Sequence, residues 1–101
     1  MSNALRRTEI ESALRVIAPR IPKHEGGAVV DHALDSAGLR GAEPAHAAWL
    51  SLVAYVRHVH TDYDELLQSG YDVESARHFV IEAMQDVLTS WGVTRKLDNN
   101  E

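Results

Sequence analysis

Residues 72–92 read Asp-Val-Glu-Ser-Ala-Arg-His-Phe-Val-Ile-Glu-Ala-Met-Gln-Asp-Val-Leu-Thr-Ser-Trp-Gly, and the period of their apolar positions decides the fold. Propensity alone allows a strand across His78–Ile81, because Phe, Val and Ile suit a pleated surface. Two features outweigh it. Asp72 is a helix-capping residue type at the head of the run. Behind it Val73, Ala76, Val80, Ala83, Met84, Val87 and Trp91 fall on one side of a 3.6-residue period. Gly92 then ends the pattern. The reading is a helix over Val73–Ser90 with Trp91 in its buried stripe.

Upstream the same period recurs. Thr61 followed by Asp64 resembles an N-cap, with Asp62 and Asp64 complementing the positive end of a short helix through Leu66 and Leu67 to Gly70. Pro44 opens a helix over Pro44–Val59, in which Ala45, Ala48, Trp49, Leu52, Val53 and Val56 form one broad stripe. This segment is the candidate central helix, and Trp49 is expected to be buried with Trp91. Val30, Ala33, Leu34 and Ala37 mark a helix over Ala28–Ala37 capped by Gly38. Pro22 suits its first turn, while Gly26 and Gly27 weaken its first half. Thr8 and Glu11 have capping-box spacing, and Ile10, Ala13, Leu14 and Ile17 continue helically over Thr8–Ala18 until Pro19. The fold class is therefore all-α: a single domain over residues 1–101, built as a compact bundle of about five helices. The third and fifth are its expected core pair, and 1–7 and 96–101 its frayed ends.

Composition agrees with a globular domain. In 101 residues, 45% are hydrophobic and 25% charged, and there is no cysteine. Disulfide and thiol chemistry are thereby excluded, and a cytoplasmic location is the expectation. No apolar run approaches the ~20 residues that cross a bilayer. Arg6 and Arg7 are not followed by the apolar stretch of a secretory signal. The net charge of −5, from fifteen acidic and ten basic side chains, lacks the overall basic balance of a nucleic-acid coat protein, although a local basic patch is still allowed.

Six histidines raise the question of metal, and their spacing answers against it. On a helix His58 and His60 point about 200° apart, whereas same-face ligands need a separation of three or four residues. His24 and His32 are eight apart, and His46 and His78 have no near histidine. No Gly-x-Ser-x-Gly, phosphate loop or His-Glu-x-x-His occurs. Catalytic residues, cofactors and metal ligands are accordingly all assigned as none.

The most distinctive polar stretch is Tyr55-Val56-Arg57-His58-Val59-His60-Thr61-Asp62-Tyr63-Asp64-Glu65-Leu66-Leu67, followed by Ala76-Arg77-His78. An Arg-His pair thus occurs twice. Helical projection sets Arg57 and Arg77 at the margins of their apolar stripes, with His58 and His78 on polar faces. Arginine suits such a margin because its stem packs while its fork binds a carboxylate. The candidate cluster is Arg57, His58, Tyr63, Asp64, Arg77 and His78. Its first reading is a structural lock in which the arginines pair with Asp64, and its second is an anion-binding patch.

The run Arg-His-Val-His-Thr-Asp-Tyr-Asp-Glu-Leu-Leu-Gln-Ser-Gly over 57–70, with Ala-Arg-His-Phe-Val at 76–80 and Val-Leu-Thr-Ser-Trp-Gly at 87–92, resembles the bacterial domain-of-unknown-function family 2293. The resemblance is close over residues 55–92 and weaker through His32–Leu39 and Trp49. It implies a compact domain and carries no activity, cofactor or partner with it. The expected function is a non-enzymatic helical interaction or scaffold module whose partner is a protein or a second copy. The runner-up is a nucleic-acid-binding protein using Arg57, His58, Arg77 and His78, helped by Arg6, Arg7, Arg95 and Lys96. A third reading is an enzyme with a site near Tyr63 and Asp64.

Overall fold

Residues 73–90 are helical from end to end, and Asp72 caps them by accepting the Ser75 backbone N–H at 2.7 Å. The structure, a computed structural model, describes residues 3–99 and 101. Its elements are α1 (Asn3–Ile17), α2 (Lys23–Asp35), a 3-10 turn (Ala37–Leu39), α3 (Pro44–His60), α4 (Tyr63–Gln68) and α5 (Val73–Ser90). No strand occurs among the described residues.

α3 is the hub. It packs against α1, α2, α4 and α5, so its buried arc widens to Ala47, Ala48, Trp49, Ser51, Leu52, Val53 and Val56, while Ala45 is exposed. Its most extensive partner is α1 rather than the expected α5. A stripe reports how much of a helix is covered, not which neighbour covers it. Ile10 and Leu14 of α1, Val29, Val30 and Ala33 of α2, and Met84 and Leu88 of α5 complete the core with α3. Trp49 and Trp91 are 3% and 6% exposed, as their stripes required. Ser51 is buried in this apolar setting because its hydroxyl donates to the Val29 carbonyl at 2.7 Å, tying α3 to α2.

Several boundaries differ from the sequence reading, each for a local reason. Thr8 lies inside α1 and donates to the Ala4 carbonyl at 3.0 Å instead of capping. The helix starts earlier, where Arg6 donates to the carbonyls of Leu39 and Ala42 at 2.9 and 3.0 Å and pins this end to the loop before α3. α2 stops at Asp35 because Ser36 is extended, which leaves Gly38 in the 3-10 turn. The left-handed stops are Gly70 (φ 100) and Gly92 (φ 90). Gly26 and Gly27 are accommodated within α2, and a Cβ on Gly26 would lie 3.8 Å from Leu14 and 3.5 Å from Ile21.

The terminal segments expected to fray also carry contacts. Leu97 N–H donates to Gln85 at 2.8 Å, and Glu101 accepts the Trp49 indole N–H at 2.8 Å. Arg95 lies over the same indole, 4.3 Å from its centroid. The expectation for residues 1, 2 and 100 falls outside the described residues. No helix among the described residues is long and apolar enough to cross a membrane.

Candidate functional site

The end of α3, the short α4 and the start of α5 carry the predicted cluster, but they divide it. Thr61 ends α3, where its hydroxyl donates to the Arg57 carbonyl and accepts the Tyr63 N–H at 3.1 Å. The N-cap position of α4 falls to Asp62, whose side chain makes no cap bond. This turn delivers Asp64 to His58, whose Nδ1 pairs with the Asp64 carboxylate. The arginine–Asp64 lock expected from helical projection is therefore absent among the described ion pairs. Projection gives the direction of each side chain about its own helix, and the turn sets which helix face the next carboxylate meets.

Arg57, Tyr63 and Arg77 form the other part. Arg57 is half-buried and holds its guanidinium carbon 5.5 Å from the Tyr63 ring centroid. Burial pushes the Arg57 guanidinium below its ordinary value, and the charge on Arg77 lowers it further; Tyr63 and Glu101 act weakly the other way. Among the described residues the Nε of each arginine finds no hydrogen-bond partner, and it is sealed from solvent. Such a buried unpaired donor costs about 1–3 kcal/mol. Glu101 does not relieve them, because its carboxylate is engaged by Trp49, Arg95 and the Asp98 N–H. His78 is exposed and meets Phe79 edge-on at 6.1 Å.

A second constellation escaped the sequence reading. The Glu25 carboxylate, 12% exposed, accepts the Tyr55 hydroxyl at 3.1 Å and pairs with His60 Nε2. Burial, then the bond to Glu25, raises the Tyr55 hydroxyl above its ordinary range. The His60 ring lies edge-on to Tyr55 at 6.0 Å and to Trp91 at 5.3 Å. These residues lie on α2, α3 and the end of α5, and no short motif announces them.

His60 also borders a hollow of about 420 Å³, whose lining includes Asp62, Leu66, Tyr71, Phe79 and Ala83. Tyr71 and Phe79 stack edge-to-face at 5.4 Å and are 46% and 61% exposed. The Glu25 bond fixes the His60 ring at the rim, while Thr61, the nearest hydroxyl in sequence, is occupied in the turn. The arrangement is suited to receiving a side chain: an aromatic wall, a polar rim and an open mouth. Among the described residues no three of His, Asp and Glu converge as a metal set.

Comparison with known proteins adds one match. The model of the family described as "Uncharacterized conserved protein (DUF2293)" matches residues 13–92, reaching well upstream of the segment that carries the sequence resemblance. No curated protein and no solved structure matches the chain.

Proposed function

The chain belongs to the DUF2293 family, and from the geometry of its own residues we propose that it is an interaction module whose hollow beside Phe79 docks a segment of a partner protein. The observation that carries this reading is Phe79 itself. It sits within α5 at 61% exposure, stacked on an exposed Tyr71 over a formed hollow. Isolated exposed apolar residues are ordinary, but an aromatic pair bordering a concave surface is the usual form of a docking anchor.

The charge around the hollow selects the partner's chemistry. Asp62 lines it, and Glu82 and Asp86 follow Phe79 at three and seven residues, on the same exposed face of α5. Asp62 at the hollow and these two acids on the adjoining helix face, on a chain of net charge −5, favour a basic segment that inserts one apolar side chain between Tyr71 and Phe79. A lack of cysteine suits action in a reducing, cytoplasmic compartment.

Panning a displayed peptide library on the wild-type protein, with Phe79→Ser as the counter-selection, tests the reading. Enriched peptides should carry an aromatic or aliphatic residue flanked by Lys or Arg, and should lose binding to Phe79→Ser. No enrichment over the variant, or enrichment of acidic peptides, would overturn it.

A further inference from the structure

We propose that the side chain received by the hollow beside Phe79 is a methylated lysine of the partner segment, its alkylated ammonium set against Tyr71 and Phe79 and matched by the Asp62 carboxylate. The proposal rests on the docking reading for the place of binding and adds the chemistry of the anchoring group.

A shared cavity carries the inference. Asp62, Tyr71 and Phe79 line one hollow of about 420 Å³. The two aromatic rings stand 82° apart in plane, with centroids 5.4 Å from each other, and both residues are exposed. Aromatic rings set in more than one direction are how proteins surround a quaternary ammonium, whose charge is drawn to the ring quadrupole. No lysine or arginine of the described residues lines the hollow. The arginines that do lie over rings, Arg57 and Arg95, lie over Tyr63 and Trp49 instead. Asp62 is exposed, makes no cap bond and belongs to no ion pair among the described residues. Its carboxylate is thus available to a cation from outside the chain.

The methylation follows from the acceptors. An ordinary lysine ammonium brings three N–H donors. The hollow meets them poorly: His60 is engaged through Nε2 by Glu25, the Thr61 hydroxyl is used twice within its turn, and Leu66, Val80 and Ala83 offer only apolar side chains. Trimethylation removes all three donors, keeps the charge for Asp62 and presents methyl groups to the apolar walls. One group then meets both demands made of the inserted side chain. An unmodified aromatic or aliphatic side chain would fill the same walls and leave Asp62 unmatched. Glu82 and Asp86, on the α5 face that carries Phe79, add acid for the bases of a flanking segment, which a free quaternary ammonium lacks.

The experiment uses one short arginine-flanked peptide with trimethyllysine, lysine or the neutral tert-butyl isostere at its centre. Each form is titrated at matched ionic strength while the ring resonances of Tyr71 and Phe79 are followed. The trimethyllysine peptide should shift both rings saturably, and the other two should bind about fivefold more weakly or worse. Phe79→Leu, which keeps apolar bulk without a π face, and Asp62→Asn should each lose most of the preference for trimethyllysine over the isostere, whereas Tyr71→Phe should keep it. Backbone amide spectra identify any variant whose fold has changed, and Asp62→Asn, at an exposed residue without a cap bond or ion pair, then carries the test. Equal binding of the trimethyllysine peptide and either of the others, or a preference unchanged in either folded variant, would overturn the proposal and leave the docking reading standing. Failure of all three peptides to bind would overturn it as well, and the library selection against Phe79→Ser decides the docking reading separately. Choline bound more tightly than the trimethyllysine peptide would overturn the assignment to a partner segment.

Discussion

Burial lowers the Arg57 guanidinium of α3, and the charge on Arg77 of α5 lowers it further, so the two act on each other as like charges. Asp64, the acid expected from the sequence to pair with them, is turned to His58. An arginine at the margin of an apolar stripe is ordinarily paired, since desolvating an unpaired charge is costly. Here neither arginine has an ion-pair partner among the described residues, and the Nε of each is sealed from solvent.

Arg77→Gln should therefore change stability by less than about 1 kcal/mol, in either direction, because no ion pair is lost and a repulsion is relieved. In a double-mutant cycle Asp64→Asn should add independently to Arg77→Gln but couple to His58→Ala. Denaturant midpoints measure both. A loss of about 3–5 kcal/mol for Arg77→Gln would reveal a buried pair and contradict the arrangement.

Two glycine substitutions should have opposite signs. At Gly92, φ is +90 and an added Cβ would sit 2.8 Å from Cγ of the rigid Pro19 ring, so Gly92→Ala should cost about 1–3 kcal/mol or more. Gly27 is an exposed helical residue with nothing within 4 Å of such a Cβ. Gly27→Ala should raise stability by about 0.4–1 kcal/mol, chiefly by restricting the unfolded chain. Thermal melts of the two variants side by side would expose an error in either assignment.

Ser51→Ala removes the buried bond to the Val29 carbonyl and should cost about 1 kcal/mol. Ser51→Val adds volume at a position with 0% exposure and should cost more, about 1–3 kcal/mol. If the valine variant were the more stable of the two, the α2–α3 contact would have room that the structure does not show.

The Asp72 carboxylate is held below its ordinary value, mainly by the Ser75 backbone N–H. Its contribution is therefore complete above the unfolded value of about 3.9 and fades as pH falls through the lower folded value. The wild-type urea midpoint should drop more steeply with acid than that of Asp72→Asn, and the two should approach each other at the acid end. Parallel profiles would mean that the cap bond does not form in solution.

What the sequence by itself determined is what interactions within about four residues decide. The cap at Asp72, Pro44 at the head of α3, the left-handed stops at Gly70 and Gly92, and the burial of Trp49 and Trp91 are all local or periodic. The local signal was misleading at Thr8, where a good cap residue is equally content bonding backwards inside a helix, and at Gly38, where Ser36 had already ended α2. The tertiary structure alone decided the bonds that join distant parts of the chain. Tyr55 and His60 meet Glu25 across separations of 30 and 35 residues, and Trp49 meets Glu101 across 52. The fate of the arginines was settled in the same way. Helical period placed Arg57 and Arg77 at stripe margins, but two bonds of the Thr61 hydroxyl direct the chain out of α3 and so place Asp64 beside His58. A periodic pattern fixes where a side chain points about its own axis; the direction of a turn fixes what it meets.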